Sequence, residues 1–242
     1  TSIVRVGGRW TNVVEEEPVD GLDVRTTIDL QIQDLTEKAL VDKLQEADAA
    51  SGVAVVMEVK TGEVKAISNM ERIRPGVYAE LRNHALADEL EPGSTFKAIV
   101  AGAALQEGIV TPNQVFFDPG YVMVSGRRIQ NWNGESFGTV TFTDVVKNSL
   151  NTGFALVGLD LGAERLTKYA KLFGFGEPTG VELPAEEGGI LFEPENMRDS
   201  DMATMAIGQS IAVTPLQLVT AMAAIANDGV LLKPHIVKEI RN

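Results

Sequence analysis

Hydrophobic residues are unevenly spread along this chain. The densest cluster is a run of small and aliphatic residues: Ala98, Ile99, Val100, Ala101, Ala103, Ala104 and Leu105. Apolar positions on every helical face predict a helix buried in the middle of a domain. Pro92 and Gly93, which fit poorly inside a helix, mark its start, and Gly108 is placed to end it. Residues 53–59 form a nearly continuous apolar stretch, which predicts a strand buried on both faces. Lys60-Thr61-Gly62-Glu63 then reads as a tight turn, and residues 64–68 as the returning strand of a hairpin. Upstream, residues 22–28 alternate like a short strand. Asp29 is placed to cap a helix whose apolar positions are Ile32, Leu35, Ala39, Leu40, Leu44 and Ala47, with Ser51-Gly52 stopping it.

The remaining pattern is more broken. Residues 69–90 are irregular and polar, with a turn at Arg74-Pro75-Gly76. Residues 111–139 are punctuated by Asp118-Pro119-Gly120, Ser125-Gly126 and Asn131-Trp132-Asn133-Gly134, with a short strand over 121–124. Thr141 caps a helix over 142–148, with Asp144 at the capping-box position. A new apolar helix covers 154–161, so Ser149-Leu150-Asn151 falls in a helix–helix connection. Residues 165–173 predict another helix, ended by Gly174, and 173–184 a loop. Thr214-Pro215-Leu216-Gln217 combines a cap, a proline at the first helical position and a box glutamine. That helix continues to 226 and stops at Asn227-Asp228-Gly229, followed by short extended pieces at 230–232 and 236–237.

Composition narrows the possible functions. With 21 basic and 34 acidic residues among 242, the formal charge is 21 − 34 = −13, and no basic cluster interrupts it. That balance argues against nucleic acid and against an anionic membrane surface as the main partner. The chain has no cysteine, which excludes disulfides, thiol catalysis and cysteine metal sites. No stretch is as long and apolar as a membrane span, and no signal peptide is present. Residues 1–20, with Glu15-Glu16-Glu17-Pro18, read as an extended acidic linker or the tail of an upstream domain, and 21–242 as the folded domain. Because the first residue is Thr1, the chain is expected to be a piece of something longer.

Candidate chemistry gathers at the start of the apolar helix. Ser94 and Lys97 are one turn apart and share a face. A serine hydroxyl needs a base to become a nucleophile, and a lysine serves as that base once burial lowers its pKa. A helix beginning in the core desolvates the amine, and its free N–H groups favour charge developing on the serine oxygen. One Ser-x-x-Lys match is expected about once by chance in a chain of this length and equally describes an N-cap beside a surface lysine. The second polar pair, Ser149-x-Asn151 in a helix–helix connection, makes the combination far less common. His84 and His235 lack ligand-like spacing and read as structural. Trp132 reads either as lining a groove or as packing, and Met202, Met205 and Met222 as core filler.

In that order and setting, Glu91-Pro92-Gly93-Ser94-Thr95-Phe96-Lys97 and Ser149-Leu150-Asn151-Thr152-Gly153 resemble the first two motifs of penicillin-binding proteins. Residues 21–33 resemble the opening of a class B transpeptidase domain, residues 53–67 its first hairpin, and residues 204–217 a later segment. That segment includes Ala206-Ile207-Gly208-Gln209. The resemblance implies an α+β fold of the β-lactamase and penicillin-binding type, with helices packed on an antiparallel sheet. It implies a peptidoglycan D,D-transpeptidase working through an acyl-serine, without metal or cofactor. Ser94 would attack the D-Ala-D-Ala carbonyl of a stem peptide, and Lys97 would take its proton. Ser149 would relay a proton to the leaving amine, and Asn151 would hold the substrate amide and Lys97. β-Lactams would acylate Ser94 as substrate mimics. A D,D-carboxypeptidase, and a β-lactam-sensing or scaffolding module without turnover, are the rival readings. Division or elongation membrane proteins would be partners of the parent protein. Its place would be the outer face of the bacterial cytoplasmic membrane, anchored by an N-terminal segment not in this chain.

The family's third motif, Lys-Thr-Gly or Lys-Ser-Gly, is expected on a strand after the helix that begins near Thr214. The single Lys-Thr-Gly here, Lys60-Thr61-Gly62, precedes Ser94 and sits in a hairpin turn, so it reads as a decoy. The chain is therefore expected to lack the strand that bears the motif, neighbouring sheet strands and a closing helix. Its sheet is expected to show an open edge. One oxyanion donor would be the Ser94 N–H and the other would come from that strand, so the piece alone is expected to turn over weakly.

Overall fold

A computed structural model describes residues 2–6, 9–13 and 21–241. In chain order the elements are β1 (Ser2–Val6), β2 (Arg9–Val13), β3 (Asp23–Thr26), α1 (Leu30–Glu46), β4 (Ser51–Met57), β5 (Val64–Arg74) and β6 (Val77–Ala79). They continue with α2 (His84–Ala87), α3 (Lys97–Gln106), β7 (Val115–Asp118), β8 (Tyr121–Val124), β9 (Arg127–Gln130) and β10 (Gly138–Thr141). The last are α4 (Phe142–Lys147), α5 (Asn151–Leu172), α6 (Asp199–Met205), α7 (Pro215–Ala226) and β11 (Val237–Arg241). The chain divides into two compact units, 1–26 with 237–242, and 27–236. In the first, β1 pairs with β2 and β3 with β11, both antiparallel. Residues 2–6 and 9–13 thus form a hairpin rather than a single extended approach. Glu15-Glu16-Glu17-Pro18 lies outside the described residues.

The second unit is α+β. Its sheet has the order β4-β5-β6, with all pairings antiparallel. Val64, Ala85, Leu86, Val181 and Leu216 form a core beside this sheet, with Val53, Val55 and Ile67 packed against it. A larger core joins α3, α4, α5 and α6 through Phe96, Ile99, Phe142, Phe154, Met205 and their neighbours. The short ladders β7–β10 and β8–β9 lie between α3 and α5 in sequence.

Local signals account for most helix ends. The Asp29 carboxylate caps α1, accepting from the N–H groups of Gln31 and Ile32. Thr141 with Asp144, and Thr214 with Gln217, form reciprocal capping boxes at α4 and α7. Gly108 and Gly174 close α3 and α5 with the paired backbone bonds of a Schellman ending.

Several expectations are corrected. No residue of β4 is fully buried. Helices contact it, but among the described residues its only strand partner is β5, so its outer edge is open. The α3 helix is not buried all round: Ala98, Gly102 and Leu105 form an exposed stripe. In α1 only Leu44 is fully buried, and Leu35 is exposed. The strand after the hairpin turn runs to Arg74, and Arg74-Pro75-Gly76 turns it into β6. The run Asn151–Leu172 is interrupted at Gly162, where φ of 76° and ψ of 165° leave the helical region, so the two helices expected at 154–161 and 165–173 are both present, the first beginning earlier, at Asn151.

A polar cluster surrounds one buried histidine of this unit. His84 on α2 lies between Glu71 of β5, 2.6 Å from Nε2, and Asp88, 2.7 Å from Nδ1. Arg82 also reaches Asp88 at 3.4 Å. Burial by itself lowers the His84 pKa, but the hydrogen bonds and charges of the two carboxylates outweigh it and hold the value above the ordinary one. A raised folded-state pKa gives stability that is full below about 6.5 and is lost as pH rises through the folded value. Urea denaturation at pH 5.5 and pH 8.5 will therefore show wild-type protein losing stability over this interval, and His84→Gln losing less. Equal pH dependence of the two proteins would remove His84 as the source.

Candidate active site

Ser94 lies in a 3-10 turn, Gly93–Phe96, that leads directly into α3. The turn exposes Ser94 and buries Phe96 and Lys97, with Lys97 only 4% exposed. Its outer side is held by backbone. The Gly93 N–H donates to the Gly208 carbonyl at 2.9 Å, and the Ser210 N–H donates to the Glu91 carboxylate at 3.1 Å. Gly208 is the left-handed residue that closes α6, with φ of 78°. A Cβ there would lie 1.8 Å from the Gly93 carbonyl oxygen, so only glycine permits the approach.

The structure brings three of the four candidate side chains together. Lys97 Nζ donates to the Ser149 carbonyl at 2.8 Å, to Ser149 Oγ at 3.0 Å and to Asn151 Oδ1 at 2.6 Å. It also lies 5.2 Å from the centre of the Phe154 ring. Asn151 is fixed at its other end, where Nδ2 donates to the Gln130 carbonyl at 2.8 Å. Ser94 stands one turn from Lys97 at the surface, and its hydroxyl has no side-chain hydrogen bond to Lys97.

Burial lowers the Lys97 pKa from its ordinary value to about 8. No ion pair to Lys97 is formed by the described residues to counter this. At neutral pH roughly one amine in ten is then unprotonated. A neutral amine keeps two N–H groups, which match the two acceptor-only atoms, the Ser149 carbonyl and Asn151 Oδ1. Its lone pair is then left to accept from the Ser149 hydroxyl. The arrangement can thus receive a proton at Nζ and pass one through Ser149.

Ser149 has an unusual backbone. The Ser149 N–H bonds to the Val146 carbonyl at 3.1 Å, and the Leu150 N–H to the Val145 carbonyl at 2.9 Å. These are the two bonds of a Schellman ending for α4, and Ser149 holds the left-handed position, with φ of 52°, that glycine ordinarily fills. Leu150 and Val145, both buried, supply the apolar contact of that motif. The strained position turns both the carbonyl and the hydroxyl of one residue toward the same amine.

The sequence singled out Ser94, Lys97, Ser149 and Asn151 as candidates but not the residues that hold them. Asp118 and Asn131 carried only turn signals, Thr152 and Gly208 only family ones, and Gln130 none. Trp132 is 84% exposed, so packing does not account for it. Lys60-Thr61-Gly62 stands in the β4–β5 turn, where Lys60 faces Asp228 at 3.6 Å, and takes no part in the cluster. His84 belongs to the cluster with Glu71 and Asp88, and Met205 is fully buried in the helical core. A cavity of about 340 Å³ lined by Lys171, Phe175, Gln217 and Leu231 includes none of the four candidates. No group of three or more metal-ligating side chains is assembled among the described residues.

The family model described as the penicillin binding protein transpeptidase domain matches residues 52–242. The chain is 39% identical over 229 residues to stage V sporulation protein D of Bacillus subtilis, covering 92% of this chain and 35% of that protein. It is 32% identical over 217 residues to peptidoglycan D,D-transpeptidase FtsI of Escherichia coli, covering 88% and 36%. Among solved structures, penicillin binding protein 3 of Mycobacterium tuberculosis complexed with aztreonam matches with a TM-score of 0.84 and 31% identity. That match covers 94% of this chain and 52% of the other. The chain spans about a third of the length of the curated relatives it matches.

Two substitutions test the local geometry. Ser149→Gly removes left-handed strain and will raise the unfolding free energy by about 1 kcal/mol. Gly208→Ala forces two backbones apart and will lower it by about 3 kcal/mol. Denaturant melts of both variants check these signs. A destabilised Ser149→Gly protein would show that the serine side chain holds the loop rather than strains it.

Proposed function

The chain belongs to the penicillin-binding-protein transpeptidase family, and from that premise we propose that it carries the acyl-transfer centre of a peptidoglycan D,D-transpeptidase. The observation that carries the reading is Lys97: a buried amine with a lowered pKa, one turn after an exposed serine and held by Ser149 and Asn151.

In this reading Lys97 is neutral when the donor stem peptide arrives. Ser94 Oγ attacks the carbonyl carbon of the penultimate D-Ala, and its proton goes to Nζ. The Ser94 N–H donates to the oxyanion that forms. The C–N bond to the terminal D-Ala then breaks, and the leaving nitrogen takes a proton from the Ser149 hydroxyl, which is replenished from Nζ. Asn151 keeps Nζ in line throughout and presents its amide to the substrate backbone. The amine of a second stem peptide attacks the Ser94 ester, and the same groups move the proton in reverse. A β-lactam enters the first half of this sequence and stays, because its leaving nitrogen remains tethered to the acyl group. In this reading Trp132, exposed on the turn after Gln130, meets the peptide substrate, and its 84% exposure supports that role.

No helix among the described residues is long and apolar enough to cross a membrane. Work at the outer face of the cytoplasmic membrane, an N-terminal anchor and division or elongation partners belong in this proposal to the whole protein. So does a strand placed against the open β4 edge to supply the second oxyanion donor.

The full-length protein incubated with a penicillin will gain the antibiotic's intact mass, and Ser94→Ala will not. Absence of an adduct, or an adduct on Ser94→Ala, would refute the reading. The acylation rate will rise with pH and reach half its maximum near the Lys97 value of about 8, because only the neutral amine accepts the serine proton. A stem-peptide donor with an added acceptor amine will yield cross-linked product together with free D-Ala. Release of D-Ala with hydrolysed donor alone would instead identify a carboxypeptidase.

A further inference from the structure

Deep beside the start of α5 lies a carboxylate that the mechanism above does not use. Asp118, the last residue of β7, is 2% exposed. Its Oδ1 accepts from the Gly120 N–H at 2.9 Å, from Asn131 Nδ2 at 3.1 Å and from Thr152 Oγ1 at 2.8 Å. Its Oδ2 accepts from Asn131 Nδ2 at 2.9 Å and from the Phe137 N–H at 2.9 Å. Every one of these donors is neutral. An unpaired buried carboxylate is costly, and full hydrogen bonding is the usual condition for retaining one. A neutral side chain would fill the space at lower cost, so the charge calls for a reason beyond packing.

We propose that Asp118 is the positioning residue of the Ser149–Asn151 segment, fixing the first turn of α5 and so the amide that holds Lys97. The proposal rests on the acyl-transfer reading given above. Leu150, the residue before α5, supplies no side-chain cap, so the helix start must be held by other means. The Thr152 hydroxyl supplies them by donating to Asp118, and the Thr152 N–H points to Asn131 Oδ1 at 3.4 Å. Asn131 itself is anchored by the same carboxylate. Negative charge near a helix N-terminus is also favoured by the helix dipole. Thr152 follows Asn151 directly, and successive helical residues are turned about 100° from one another. Pinning Thr152 therefore sets the direction of Asn151, whose Oδ1 must stay 2.6 Å from Nζ. The same network holds the chain from Gln130 to Phe137, and Gln130 takes the other end of the Asn151 amide.

Asp118→Asn and Thr152→Val separate this role from simple support. Either amide orientation at position 118 turns an NH₂ group toward existing donors, whereas Thr152→Val removes one hydroxyl and keeps the shape. Leu166→Ala, a buried change later on α5, serves as a control that only destabilises. Penicillin acylation is followed by intact mass against pH in the full-length protein, with thermal melts alongside. Thr152→Val will slow acylation roughly tenfold and Asp118→Asn roughly tenfold to a hundredfold, the scale expected when a reacting group is misplaced by about 1 Å. In both, the acid limb of the pH profile will move downward by roughly half a unit, because the Lys97 ammonium loses a firm acceptor. The double variant will fall short of the product of the two losses, since both break one bond. Leu166→Ala will lower the melting temperature and leave the limb in place. Wild-type limbs in Asp118→Asn and Thr152→Val, with melting changes like those of the control, would overturn the proposal while Ser94 still labels. Failure of the wild type to label at Ser94 would instead bring down the acyl-transfer reading and this proposal with it.

Discussion

The fold is organised around the problem of burying one amine without an acid beside it. A buried ammonium costs several kcal/mol unless it is well paired. Lys97 is met by acceptors 52 and 54 residues further along the chain, none of them charged. A carboxylate in their place would have held the amine protonated. Neutral acceptors leave desolvation in control, so the pKa falls to about 8 and the free amine is accessible near neutral pH. Helix α3 has to start inside the core, and α4 and α5 have to meet at its first turn, for this environment to exist.

Two helix endings show how strain is placed. Both α6 and α4 end in the same Schellman pattern, with Gly208 and Ser149 in the left-handed position. At Gly208 the need is closeness, because the Gly93 backbone occupies the space of any Cβ. At Ser149 there is room for a side chain, and a hydroxyl is worth the backbone strain because it lands on Nζ. A non-glycine residue in this conformation next to a perturbed lysine is the kind of local misfit that marks a working site. The surrounding elements, from the capping box of α4 to the buried Leu150, hold it in place.

Much of this was legible in the sequence because it is written locally. Asp29, Thr141 and Thr214 announce helix starts through hydrogen bonds that close within three residues, and Gly108 and Gly174 announce ends. Ser94 and Lys97 share a face by helical spacing alone. Elements whose reasons are tertiary stayed hidden. Strands β7, β9 and β10 are four residues each, and β7 and β10 pair across up to 26 residues, whereas β8 was legible as the strand expected over 121–124. The run before Arg74 reads as polar and irregular because only its pairing with β4 and β6 makes it a strand. The exposed stripe on α3 carries alanine, glycine and leucine, and a polar residue marks the solvent side only at its last position, Gln106. Asp118-Pro119-Gly120 looked like an ordinary turn, and nothing in its composition tells that the aspartate points inward to four donors.

The two buried charges of this region, Lys97 and Asp118, form no ion pair with each other, and that separation matters more than either group alone. Were the carboxylate moved against Nζ, the amine would gain a strong reason to stay protonated, and the proton acceptor would be lost at neutral pH. Instead, two consecutive residues stand between them: Asn151 touches the amine and Thr152 touches the acid. What passes through the first turn of α5 is position, not charge. A helix start suits this task, because neighbouring side chains leave it in different directions while sharing one rigid backbone. The chain can therefore hold an uncharged acceptor firmly against a lysine, with a carboxylate supplying the firmness through the next residue of the same turn.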